Sequence, residues 1–144
     1  MTRISFYILK GSQEHNRQVF ACRLIEKAHA KGNHIYIHAD SQEQANLFND
    51  LLWSFRSDSF VPHQLMYDIS QTTQDDCPIL IGHDATPPRL MNLLINISSE
   101  HPMFFSQFER VAEFINDNDT TKAQGRERYR FYKERGYELE THKL

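Results

Sequence analysis

At 144 residues, with 40% of them apolar, the chain can build one sizeable core and is too short for two, so a single domain spanning 1–144 is expected. The net charge of −3 argues against a generic nucleic-acid binder, and no apolar run reaches the length of a membrane span. Met1-Thr2-Arg3-Ile4 lacks a secretory layout, and Cys22 and Cys77 lie far apart outside any Cys-x-x-Cys pattern, which points to reduced thiols and a cytoplasmic protein.

Ile4-Ser5-Phe6-Tyr7-Ile8-Leu9 is rich in β-branched and aromatic residues and predicts the first strand. A turn around Gly11 follows. Over 14–31, Val19, Phe20, Cys22, Leu24, Ile25 and Ala28 recur near helical spacing, and Gly32-Asn33 predict the C-terminal stop. His34-Ile35-Tyr36-Ile37-His38-Ala39 is the second expected strand. Asp40 or Ser41 then caps a helix carrying Ala45, Leu47, Phe48, Leu51 and Leu52. Strand, helix, strand and helix on short connections predict an α/β fold, a right-handed βαβ layer over a mostly parallel sheet.

Leu51 to His63 holds the only tryptophan, Trp53, with Phe55, Phe60 and a Pro62-stiffened exit around the polar loop Arg56-Ser57-Asp58-Ser59. Large aromatics beside such a loop suit a partner-binding hot spot, although composition alone favours Trp53 and Phe60 closing the edge of the core. Beyond it, Gln64-Leu65-Met66-Tyr67 reads as a short extended segment and 69–76 as a polar loop. Pro78-Ile79-Leu80-Ile81-Gly82-His83 reads as a buried strand, and 90–97 as a further strand. Phe105, Phe108, Val111, Phe114 and Ile115 fall at helical spacing and predict an amphipathic helix over 104–116. Asp117-Asn118-Asp119 breaks it, Thr120 or Thr121 begins the last helix, and Gly136 stops that helix before a short tail.

Nucleotide chemistry finds no loop to rest on. The turn after the first strand reads Lys10-Gly11-Ser12-Gln13-Glu14-His15, with one glycine where a dinucleotide fingerprint needs three, and no Walker sequence occurs. His34 and His38, four apart on a strand, would stand about 13 Å from each other, too far to share a metal ion. His83-Asp84 has no Ser or Cys nucleophile with it. No catalytic residue, metal or cofactor is assigned. The last helix carries the stronger signal. Lys122, Arg126, Arg128, Arg130, Lys133 and Arg135 outnumber Glu127 and Glu134 by four charges, leaving −7 for the rest. Lys122, Arg126, Tyr129, Arg130 and Lys133 recur every three or four residues and share one face. That face suits an acidic peptide, with guanidinium forks for carboxylates and a ring for an apolar anchor, although such a row of charges is more often simply a solvated helix face. Ile115 and Phe114, at the end of the preceding predicted helix, are expected to line a pocket beside it.

Phe6-Tyr7, Leu52-Trp53 with Ser59-Phe60-Val61-Pro62-His63, and Arg126-Glu127-Arg128-Tyr129 with Tyr132 carry a resemblance to the chi subunit family of the bacterial DNA polymerase III holoenzyme. The order of elements matches over essentially the whole chain. The resemblance implies a non-catalytic replisome adaptor with a Rossmann-like α/β fold, a mostly parallel central sheet flanked by helices. Such an adaptor pairs with the psi subunit of the clamp-loader complex and binds the acidic C-terminal tail of single-stranded DNA-binding protein, meeting DNA only indirectly. Trp53 and Phe60 match the family's surface for psi, which a helicase partner also uses. Lys122, Arg126, Tyr129 and Arg130, with Ile115, match its tail-binding region. Two other readings stand beside it: a direct single-stranded nucleic-acid binder using the basic helix, and a small α/β nucleotide-binding enzyme without a recognisable phosphate loop.

Overall fold

A computed structural model describes residues 2–56, 58, 61–66, 77–83, 86–87 and 91–144. Phe60, Asp84 and the polar segment 68–76 lie outside the described residues. Among those described, the chain runs β1 (Arg3–Ile8), α1 (Glu14–Ala30), β2 (Ile35–His38), α2 (Gln42–Ser54), β3 (Gln64–Leu65), β4 (Ile79–Gly82), β5 (Leu93–Asn96), β6 (Arg110–Ile115), α3 (Asp119–Glu134) and β7 (Glu138–Lys143). The seven strands form one sheet in the order β3-β4-β2-β5-β6-β1-β7, with every pair parallel. The expected α/β architecture is what forms. No described helix is long and apolar enough to cross a membrane.

Alternation of side chains along each strand sorts the interior into two layers. Ile35 and Ile37 of β2, Ile79 and Ile81 of β4, Leu93 and Ile95 of β5, and Ala112 and Phe114 of β6 face α1 and α2. There they meet Ala21, Cys22, Ile25, Phe48 and Leu52. Cys22 is wholly buried in this layer, and burial pushes its thiol up to about 12. Ile4 and Phe6 of β1, with Tyr36, Leu80, Leu94, Val111 and Ile115, face the other way and pack against Phe105, Phe108 and Tyr132. Strands buried on both faces read as continuous apolar runs, which is why β2, β4 and β5 were legible in the sequence.

Two stretches differ from the sequence expectation. The predicted amphipathic helix over 104–116 is a strand, β6, preceded by a single 3₁₀ turn at Phe105–Gln107. Arg110–Ile115 pairs with β5 on one side and β1 on the other, and this two-sided pairing overrides the helical spacing of the phenylalanines. Phe105 and Phe108 face the α3 side, whereas Phe114 faces α1, so the apparent single stripe serves both layers. The expected tail after Gly136 is likewise a strand. β7 pairs with β1 from Arg3↔Glu138 to Ile8↔Lys143, and Arg3 bridges Glu138 and Glu140 at 3.2 and 3.3 Å. Gly136, at φ 81°, makes the reversal from α3 into β7 in the left-handed region that side chains disfavour.

Helix starts follow cap chemistry. The Ser41 hydroxyl accepts the Gln44 N–H at 3.1 Å, as one of the two candidate caps. In α3 the cap is Asn118, whose side chain accepts the Thr121 N–H at 3.1 Å, so the helix begins slightly earlier than the threonines suggested.

Candidate functional site

The turn out of β6 sends α3 back across the sheet, and three inward residues decide how closely it lies. Gly125, Arg128 and Tyr132 form the buried row of α3, at i, i+3 and i+7. At Gly125 an added Cβ would stand 2.5 Å from Cδ1 and Cγ1 of Ile115, so only a glycine lets the helix rest on that side chain. Arg128 and Tyr132 reach Glu113, which β6 points into the same layer and which is fully buried. Arg128 Nε donates to Glu113 Oε1 at 2.8 Å, the Tyr132 hydroxyl donates to Oε2 at 2.7 Å, and Asn96 Nδ2 donates to the same oxygen at 2.9 Å. A further Arg128 N–H donates to the Ser99 carbonyl at 2.8 Å. Every charge in this layer is therefore matched, as burial requires. Burial and the neighbouring Glu113 carboxylate hold the Tyr132 phenol well above its usual range, so it remains a donor.

Arg128 is thus a buried tether, not one of the surface cations among which composition counts it. Arg135 is also engaged, its guanidinium lying 4.2 Å above the Phe131 ring, against which His101 stacks at 3.7 Å. Burial draws the His101 imidazole below its usual range, outweighing the pull of nearby carboxylates. The remaining four helix cations gather in one place. Lys122, Arg126, Arg130 and Lys133, with Tyr129, form one wall of a groove of about 550 Å³, floored by Phe6, Ile8 and Ile115 and rimmed by Thr141. All five expected tail-region residues, Lys122, Arg126, Tyr129, Arg130 and Ile115, line this groove. Tyr129 packs edge-on against Phe6 with ring centroids 5.2 Å apart. Phe114, expected beside Ile115, is not there: strand alternation sends it to the opposite layer, where it stacks on Tyr7 at 5.6 Å.

Among the described residues, no carboxylate lines the groove. Arg130 meets Glu127 at 3.3 Å, but both are well exposed and such a pair is easily exchanged. Among the described residues, Lys122, Arg126 and Lys133 form no ion pair. The groove joins an apolar floor to a cationic wall, a combination suited to a ligand with carboxylates and an apolar end. Phe6, Ile8 and Thr141 were missed by the sequence reading. Phe6 and Ile8 read simply as strand core, and Thr141 lay in a segment with no strand signal.

The second predicted surface is partly described. Trp53, in the last turn of α2, is 47% exposed, and its ring lies 4.2 Å from that of His63. His63 is fixed by contacts to the carbonyls of Val61 (2.6 Å) and Asn49 (3.1 Å), and burial draws its pKa down more than those contacts raise it. Leu47, on the same helix, is 61% exposed. Phe60 lies outside the described residues.

At the C-terminal ends of the strands, where α/β folds bind phosphates, the first turn of α1 carries Glu14. Glu14 takes two hydrogen bonds of 2.7 Å from the buried Arg17, which also donates to the carbonyls of Phe114 and Ile97 at 3.3 Å. Burial raises the Glu14 pKa, but the bonds and charge of Arg17, with a bond from Gln18, outweigh it and the net shift is downward. The first turn of this helix thus carries a charged carboxylate, which disfavours a phosphate beside it. Among the described residues, no three His, Cys, Asp or Glu side chains are grouped to hold a metal.

Comparison with known proteins matches residues 1–140 to the family model described as DNA polymerase III chi subunit, HolC. The DNA polymerase III subunit chi of Pseudomonas aeruginosa is 35% identical over 144 residues, covering 100% of this chain and 98% of the relative. That of Haemophilus influenzae is 31% identical over 137 residues, covering 94% and 93%. That of Escherichia coli is 25% identical over 146 residues, covering 98% and 97%. Among solved structures, T4 UvsW superposes with a TM-score of 0.68 at 10% identity, over 99% of this chain and 41% of that one. At that identity the likeness concerns the fold alone.

Proposed function

The chain belongs to the DNA polymerase III chi subunit family, and on that premise we propose that it is a non-catalytic adaptor of the cytoplasmic replication machinery. In this reading it bridges the psi subunit of the clamp-loader complex to the acidic C-terminal tail of single-stranded DNA-binding protein. The observation that carries it is the groove beside α3. Four cations, an aromatic ring and an apolar floor converge there, with no lining carboxylate among the described residues. A tail of acidic residues ending in an apolar side chain and a free carboxylate offers the complement of each part. Lys122, Arg126 and Arg130 take the carboxylates, and Tyr129 and Ile115 take the apolar end. Trp53 and Phe60 anchor psi, a role that the half-exposed indole suits, and a helicase partner shares that surface.

Calorimetric titration with a synthetic peptide of the tail tests the reading. Folded wild type binds it in the micromolar range, and Arg126→Ala weakens binding by about 1.5–3 kcal/mol through loss of a charge-assisted contact. Raising the ionic strength weakens the peptide complex more than the psi complex, because exposed charges are screened and apolar contacts are not. Folded wild type that fails to bind the peptide would overturn the assignment of this groove.

A further inference from the structure

One rim of the groove, Thr141, belongs to β7 at the end of the strand order. β7 is the outermost strand, and among the described residues no strand pairs with its outer side. Its inner side is committed to β1: the Leu144 N–H donates to the Ile8 carbonyl at 3.0 Å. Backbone groups alternate in direction along a strand. Glu138, Glu140 and His142 therefore turn inward with Leu144, while Leu139, Thr141 and Lys143 turn their N–H and C=O groups outward. The register places these same three residues opposite Ile4, Phe6 and Ile8, whose side chains face α3. Outward-facing amides and side chains on the α3 face of the sheet thus belong to the same residues, and of the three Thr141 lines the groove itself.

Spacing and charge name the occupant. Lys122, Arg126 and Arg130 recur every four residues, about 6 Å along the helix. Every second side chain of an extended peptide recurs at about 6.6 Å. A strand laid along β7 would present alternate side chains to successive turns of α3, in near register over three positions. The carboxylates that would repel an acidic strand, Glu138 and Glu140, sit on the opposite face of β7 and are paired with Arg3. Building on the adaptor reading above, we propose that the acidic peptide binds as an added β-strand. Its backbone pairs with Leu139, Thr141 and Lys143, and carboxylates at alternate positions lie over Lys122, Arg126 and Arg130. Main-chain pairing then gives affinity whatever the exact sequence, and the alternation gives selectivity.

Amide hydrogen exchange on the full chain, read residue by residue by NMR with and without the tail peptide, tests this directly. At saturation the Leu139, Thr141 and Lys143 amides slow by about tenfold or more, while Glu140 and His142, already bonded to β1, change little. A second measurement uses two variants of the peptide. Converting the carboxylates at one set of alternate positions to amides weakens binding at least several-fold more than converting the intervening set. A peptide that binds, is weakened by Arg126→Ala, and leaves the three edge amides unprotected would overturn strand addition and leave the adaptor reading intact. Equal losses from the two variant peptides would overturn the alternation. No binding at all would bring down the adaptor reading, and this inference with it.

Discussion

Gly125 and Arg128 lie three residues apart on α3 and show how much a single side chain decides here. At Gly125 a methyl group would press on Ile115, the residue that floors the groove. Gly125→Ala gains about 1 kcal/mol of helix propensity, but overpacking at a site this tight costs about 1–3 kcal/mol. The expected outcome is a lower melting temperature in thermal unfolding. Affinity for the acidic peptide also falls, because Ile115 is displaced into the groove. Unchanged affinity would show that the Ile115 floor takes no part in binding. Arg126 and Arg128 look equivalent in the sequence. The first stays on the groove wall and the second is 4% exposed against Glu113, a difference set by which side of the helix meets the sheet.

At the scale of elements, the wall of the groove is positioned by the tether between α3 and β6. Arg128→Met leaves the fully buried Glu113 without its cation, and breaking such a pair costs about 3–5 kcal/mol. Chemical denaturation is expected to register that loss. Adding Glu113→Gln recovers part of it, because a neutral amide still accepts from Tyr132 and Asn96 without a stranded charge. Failure of the second substitution to restore any stability would mean that packing, not charge, dominates at Arg128. β6 also shows why periodicity misled. Phenylalanines at helical spacing and an acidic residue in their midst imitate an amphipathic helix. Glu113 can be buried because Arg128, fifteen residues later, comes to meet its charge, with Tyr132 and Asn96 bonding its other oxygen. β7 escaped for the opposite reason. Its side chains are mostly solvated, so no alternation of apolar and polar residues marks it, and its pairing partner is the first strand of the chain.

Across the whole molecule the two candidate surfaces are well separated. α2, with Trp53, lies on one face near β3 and β4, whereas α3 lies on the other over β6 and β7. β3 and β7 are the two ends of the seven-stranded order, so about 29 Å of sheet separates the edges. Sites that far apart with no shared side chain are expected to act independently. Trp53→Ala should weaken binding of psi and leave affinity for the acidic peptide within about twofold of wild type, in paired titrations. Peptide affinity that fell with the psi surface would reveal coupling through the sheet.

What the sequence determined by itself was whatever local chemistry encodes. It specified the α/β class, the strands whose apolar runs are buried on both faces, the Ser41 cap of α2, the glycine stops after α1 and α3, and the cationic row on α3. It also determined membership of the family, through blocks spread along the chain. Tertiary structure decided the rest, because the deciding contacts join residues distant in sequence. β6 is a strand because β5 and β1 flank it, and β7 is a strand because β1 offers an open edge. Of the six cations on α3 and at its C-terminal cap, burial against Glu113 removed Arg128 and the Phe131 ring engaged Arg135. The other four were left facing a floor made by β1 and β6.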